Sequence, residues 1–496
     1  MKKIILCILF LFNVTQQASS FCGFYVAKAD AKLFNKASQV IMVRNGDKTT
    51  ITMSNDFQGA VSDFAMVVPV PVVLTKSQIR VAERRIFDAF DAYSGPRLVE
   101  YHDPNPCNKY TYETIKLVSS LEELKDEKAP KKRLNEDKNG VTIEAKYTVG
   151  EYDILILGAK DSEGLENWLI ANGYKMPVGA KEVLTPYIKS NMKFFVVKVN
   201  LDIQLQSGFN ELRPLQLSFI TPKYMLPIRL GMANADGAFQ DLIIYTFSKN
   251  GRVETTNYRT VEVATNKKVP LFIKEKFGKF YKSLFDNQYD DEKNVTFLEY
   301  AWDVSSNNYT HCDPCSSSPP VYKDMKEAGV DWLNDRNLTT NSSISDYQGD
   351  VFFTRLHVRY DRQNFAQDLQ FQETSNKQNF QCRYILTHPV AESVNCEVAY
   401  DYYKEVYTRR KKEVYEMQAL TGWSIDRYSY YTAEYKELMN DANPKKYEED
   451  KIIEKKELNK GGIFNENNYT QNDWSKAATL LLIISLVASA IAIKRN

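Results

Sequence analysis

The chain has 496 residues, with 64 lysines and arginines against 63 acidic residues and a formal net charge of +1. That balance excludes the global positive field that draws a protein to nucleic acid. The length allows two or three domains and a substantial buried core.

The first stretch reads MKKIILCILFLFNVTQQASSFCGF. Lys2 and Lys3 are basic, and Ile4 to Phe12 form an apolar run too short to span a bilayer comfortably. Ala18-Ser19-Ser20 then sets small residues at the −3 and −1 positions of a signal-peptidase site. This order predicts a signal peptide over 1–20, cleaved after Ser20, and a short buried helix does not account for it. Phe21 stands where a lipobox needs a small residue, so Cys22 is not read as a lipid attachment site.

The mature chain begins strand-like. QVIMVRNGDKTTITMS carries two β-rich runs around Asn45-Gly46, a dipeptide that tolerates φ > 0 and predicts a tight hairpin. FAMVVPVPVVL is apolar throughout, but Pro69 and Pro71 lack amide donors, so the segment leaves its sheet or lies at an edge there. Ile79, Ala82, Ile86, Phe90 and Tyr93 recur at helical spacing, behind caps at Thr75 or Ser77 and before Gly95-Pro96. Residues 120–140 are dense in charge and read as a helix end running into a flexible loop.

EYDILILGAK reads as a buried strand, SEGLENWLIANGYK as a helix with Gly173 at its C-terminal turn, and KFFVVKVNL as a strand. This is one α/β passage in a chain that is otherwise mostly β. DLIIYTFSKNGRVETTNYRTVEV predicts a hairpin turning at Asn250-Gly251. In VFFTRLHVRYD, Phe352, Thr354, Leu356, Val358 and Tyr360 share one face, and Arg355, His357 and Arg359 the other. LQFQET and NFQCRYIL predict a further hairpin, and Tyr400 to Leu420 a helix stopped by Gly422. Residues from about 430 to 473, rich in Tyr, Lys, Glu and Asn, suit a helical or partly disordered stalk.

The last stretch reads DWSKAATLLLIISLVASAIAIKRN. Residues 477–493 are uncharged and would reach roughly 26 Å as a helix, slightly short of the ~30 Å hydrocarbon core. Trp474 at the headgroups and a snorkelling Lys476 make up the difference, and Lys494 and Arg495 fit a cytoplasmic tip. A removable anchor signal is the rival reading. The fold class predicted is α+β and β-rich: mixed and antiparallel sheets with a few packed helices, then a helical stalk and one C-terminal transmembrane helix. The domains expected are a signal peptide (1–20), a β-rich α/β half (21–270), a second half with disulfides (271–426), a charged stalk (427–473) and the membrane helix (477–493). The expected topology is single-pass type I, with the ectodomain outside the cytoplasm and the lipid bilayer as a partner.

Seven cysteines become six once Cys7 leaves with the leader. An even number in an exported chain points to disulfides, and proximity favours Cys312–Cys315, Cys382–Cys396 and Cys22–Cys107. The motif HCDPC at 311–315 also fits a redox centre or half of a zinc site. Ser316-Ser317-Ser318-Pro319-Pro320 interrupts the helix a redox centre needs, and a zinc site lacks two further ligands, so a structural loop clasp carries more weight. No nucleophile elbow, HExxH, phosphate loop or dinucleotide fingerprint occurs, and no catalytic, cofactor or metal residue is assigned. Arg355, His357 and Arg359 are the candidate ligand contacts, spaced about 7 Å apart along a strand face, which suits an anionic group. A salt-bridged sheet face is the heavier reading of the same stripe. Asn294, Asn308, Asn337, Asn341 and Asn468 head N-x-S/T triplets, which matter only in a eukaryotic secretory pathway.

Several stretches taken in order resemble a known family. FCGFYVAKADAKLFNKASQVIM, FAMVVPVP, YHDPNPC, EYDILIL with WLIANGY, and MKFFVVKV come first. QDLIIYTFSKNGRVETTNYRTV, AWDV with CDPC, TRLHVRYDR, DLQFQET and LTGWSI follow. The resemblance is to exported, largely bacterial proteins catalogued as domain of unknown function 2330, over roughly residues 21 to 426. It implies an extracytoplasmic, disulfide-bearing domain, often tethered by a C-terminal span. It carries over no catalytic residue, because the family has no established activity. The function expected is therefore a non-enzymatic, membrane-anchored binding or scaffold ectodomain with a protein or glycan ligand. The alternative is an extracytoplasmic enzyme, a thiol oxidoreductase using Cys312 and Cys315 or a carboxylate-dependent hydrolase.

Overall fold

The computed structural model describes residues 38–54, 65–107, 141–172, 179–200, 212–233, 239–306, 317–335, 346–361 and 363–442, with residues 24–25, 34–35, 57–58, 174 and 202–203. The expected signal peptide, the charged loop at 120–140, Gly173, the HCDPC motif, the stalk beyond residue 442 and the C-terminal apolar segment lie outside the described residues. Among those described, no helix is long and apolar enough to cross a membrane.

The fold is α+β, built on mixed and antiparallel sheets. Strands β1 (Ser38–Asn45) and β2 (Lys48–Ser54) form the expected hairpin, but Asn45 pairs with Lys48, so the two loop residues are Gly46 and Asp47. Gly46 takes φ +55°, the left-handed conformation such a loop needs. Strand β3 (Ala65–Val70) ends where the prolines dictate, before Pro71. Its outer neighbour, Phe24–Tyr25, pairs with Val67 and Met66, so Pro69 sits past that pairing and faces Phe194 across its other side.

The helix expected from Ile79 is a correction. Ile79–Val81 is strand β4, paired with a distant strand, and helix α1 is Arg85–Ser94. Residues 79 and 81 fit a strand period as well as 79, 82 and 86 fit a helical one, and an open sheet edge took them. Helix α1 stops at Gly95 as expected. Strands β5 (Arg97–His102), β6 (Val141–Val149) and β7 (Tyr152–Ala159) follow. Helix α2 (Ser162–Ala171) starts at an Asp161 cap whose carboxylate accepts the Gly164 N–H at 2.6 Å. Helix α3 (Ala180–Lys189), not foreseen, leads into strand β8 (Lys193–Val199), antiparallel to β7.

Next come strands β9 (Leu215–Ile220), β10 (Gln240–Ser248), β11 (Val253–Thr255) and β12 (Arg259–Glu262), helix α4 (Phe277–Asp291) and strand β13 (Val295–Asp303). After these come helix α5 (Tyr322–Ala328), strands β14 (Phe352–Tyr360), β15 (Leu369–Glu373) and β16 (Arg383–His388), and helices α6 (Ala399–Thr421) and α7 (Tyr430–Asp441). The main sheet has nine strands in the order β12-β13-β14-β10-β1-β2-β9-β4, with Phe380–Gln381 beside β13. A second sheet sets Phe24–Tyr25 beside β3-β8-β7-β6. The main sheet draws strands from both sides of residue 270.

Both later hairpins are corrections. The turn at Asn250-Gly251 exists, but β11 pairs with β15 in a separate sheet, not with β10. A Cβ on Gly251 would lie 2.6 Å from two carbonyl oxygens, of Thr374 and Asn376, so the chain crosses another backbone there and cannot fold back on β10. Likewise β15 pairs with Met225–Leu226 and β11, whereas β16 runs parallel between β5 and Lys267–Lys268.

The chain divides into two compact units. The first takes in residues 1–104, 110–392 and 410–428; the second takes in 105–109, 393–409 and 429–496. In the first, the core joins Ile86, Phe87, Phe90 and Tyr93 of α1 to Tyr245, Phe247 and Phe353 of the sheet, with Phe90 and Phe247 ring centroids 4.9 Å apart. A second cluster packs Leu165, Leu169 and Leu184 of α2 and α3 on Leu157 and Phe194.

Candidate functional site

Strand β14 alternates as expected, but both its faces are buried. Arg355 is 6% exposed and Arg359 is 5% exposed, beneath helices α1 and α4. Each cation meets carboxylates there. Arg355 donates to Glu299 at 2.5 Å and to Asp91 at 2.6 Å. His357 has Nδ1 2.8 Å from Glu299 and Nε2 3.2 Å from Asp241, and its ring stacks on Phe285 with centroids 3.9 Å apart. Arg359 forms a two-armed contact to Asp241 at 2.7 and 3.0 Å and donates to Asp286 at 2.6 Å. The charges therefore alternate along the strand: Asp91, Arg355, Glu299, His357, Asp241, Arg359, Asp286.

Glu299 reaches this row through a β-bulge. Phe297 pairs with His357 and Tyr300 with Arg355, so β13 carries one more residue than β14 across that interval. The extra residue turns Glu299 onto the face of Arg355 and His357, where Tyr281 of α4 also donates to it. Burial raises the Glu299 pKa, but Arg355 and His357 outweigh it and bring the carboxyl down to about 2. Asp241 is likewise held well below the usual range, against burial, by His357 and Arg359. Burial opposes charge on His357, yet Glu299 and Asp241 raise its pKa above the ordinary value. With both ring nitrogens on carboxylates, His357 has no open side for a substrate proton. The network is built to hold α1 and α4 on the sheet.

The cysteines pair differently from the sequence expectation. Cys107 bonds Cys396, with Cα atoms 5.9 Å apart, so neither Cys22–Cys107 nor Cys382–Cys396 forms. Cys382 carries a free, buried thiol 3.3 Å from the Tyr384 hydroxyl. It lies between Phe380–Gln381 and β16, in the core, and nearness in sequence to Cys396 does not bring the two together. Burial pushes its pKa up to about 12. Cys22, Cys312 and Cys315 lie outside the described residues. Among the described residues, no group of three or more His, Cys, Asp and Glu is placed to hold a metal.

A feature the sequence reading missed is a cavity of about 170 Å³ in the first unit. Ile51, Met53, Leu217 and Phe219 line it from one face of β2 and β9, and Val68, Pro69 and Val70 from β3. Pro71, Met192, Met225, Leu226, Pro222 and Pro227 complete the apolar wall. Among the described residues, Ser190, Thr221 and Lys223 are the polar lining. The proline run at 69–71 was the one visible signal.

A family model described as an uncharacterized protein conserved in bacteria, domain of unknown function 2330, matches residues 16–372. The chain belongs to that family. No curated protein and no solved structure matches it. The domain of unknown function 2330 match takes in every residue of the ion network and of the pocket; Cys382 and Cys396 lie beyond it.

Proposed function

We propose that this chain is a non-enzymatic ectodomain, exported and held at the envelope by its C-terminal apolar segment, that binds a small apolar ligand. The pocket carries this reading. Its walls are apolar, so a glycan, whose hydroxyls would lose water without gaining partners, fits it poorly. Its volume of about 170 Å³ exceeds that of an engineered apolar cavity of about 150 Å³ that takes up benzene. The ion network supplies structure and leaves no group open for acid or base work. The Cys107–Cys396 bond supports an oxidising compartment.

The test has two parts. Protease added to intact spheroplasts should digest the bulk of the full-length protein, and its protection there would remove the exported topology. Benzene should raise the melting temperature of the wild-type protein and not that of Ile51→Phe, which fills the pocket. A benzene response equal in both would remove the binding reading.

A further inference from the structure

The pocket's rim narrows the ligand further, on the reading of the chain as a binding protein given above. Lys223 is the one charged residue lining the cavity among the described residues. It is exposed, and its ammonium makes no ion pair or hydrogen bond with any described residue. At the same rim, the Lys223 N–H donates to the Thr221 hydroxyl at 3.3 Å, which ties the backbone beneath the side chain.

Behind that charge the walls keep their shape without a ligand. Pro69, Pro71, Pro222 and Pro227 have fixed φ and present no N–H needing a partner. Ile51 and Leu217 are directly paired across β2 and β9, so the floor is a sheet face, not a loop.

We propose that the pocket binds a short-chain monocarboxylic acid, its apolar body of about six carbons between the sheets and its carboxylate on the Lys223 ammonium. The volume of about 170 Å³ matches a short chain. An amine of the same length would meet Lys223 with like charge, and a neutral alcohol would accept its N–H without the attraction of opposite charge.

Calorimetric titration of the full-length protein with hexanoate, hexan-1-ol and hexylamine tests this at low ionic strength. Hexanoate should bind roughly five- to tenfold more tightly than hexanol, with hexylamine weakest. Lys223→Ala, a surface change that leaves the fold intact, should reduce hexanoate to the level of hexanol. About 0.5 M salt should shrink the same difference. Equal binding of acid and alcohol, or a Lys223→Ala protein that still prefers the acid, overturns the ligand class and leaves the pocket as a binding site. Failure of all three together with benzene would instead overturn the binding reading itself.

Discussion

Glu299 is 1% exposed and holds a charged partner on each oxygen, so its removal strands two cations at once. Glu299→Ala leaves Arg355 with Asp91 alone and His357 with Asp241 alone. Breaking a buried pair in this way costs about 3–5 kcal/mol, which denaturant unfolding would read as a lowered midpoint. The pH dependence follows from the same groups. The Glu299 pKa falls from 4.5 to about 2 on folding, so its stabilisation is complete above about pH 4.5 and is lost as pH drops through about 2. His357 is shifted upward from 6.5, so its contribution is complete below that value and is lost as pH rises through the folded pKa. Melting temperatures across pH should therefore hold level between about 4.5 and 6.5 and fall on both sides. Glu299→Gln should soften the acid limb and His357→Gln the alkaline one. An unchanged alkaline limb in His357→Gln would count against this assignment.

At the scale of elements, the join between α5 and the main sheet rests on a glycine. Helix α5 ends at Ala328, and Gly329 takes φ +101°, a conformation L side chains rarely adopt. A Cβ there would lie 2.7 Å from Cγ2 of Thr50 in β2. Gly329→Ala therefore meets strain and collision together and should cost about 1–3 kcal/mol in denaturant unfolding. Gly278, where a Cβ meets nothing within 4 Å, is the control and should change little. The same elements show what the sequence disclosed. Long periodic runs gave β7, β14, α2 and α6 nearly to the residue, because period and caps are local properties. Partners were not local. Ile79 and Val81 joined β9 from over a hundred residues away, and the turn at Asn250-Gly251 was legible while the sheet it fed was not. The bulge at Glu299 left no mark in FLEYAWDV, which reads as an unbroken strand, so the charged stripe of β14 was visible and the carboxylates neutralising it were not.

For the whole molecule, the Cys107–Cys396 bond sets an arithmetic constraint. The two cysteines are 289 residues apart, and a loop that long restricts the unfolded chain by about 6 kcal/mol in the chain-entropy account. Six cysteines remain once the leader is removed as proposed; one bond takes two and Cys382 stays free, leaving Cys22, Cys312 and Cys315. Three thiols cannot all pair within one chain. The mature monomer should therefore keep at least one further thiol besides Cys382, even if Cys312 and Cys315 form their clasp. Alkylation of the full-length protein before and after denaturation, followed by non-reducing peptide mapping, separates these cases. Cys107 and Cys396 should appear as one linked peptide. Cys382 should be modified only after unfolding, because burial that raises a thiol's pKa to about 12 leaves almost no thiolate to react. One of the other three should be alkylated in every molecule or bound to a second chain. A map in which Cys382 is bonded to Cys396 would break the constraint at its source, since the first unit's core would then have to open to let the thiol out.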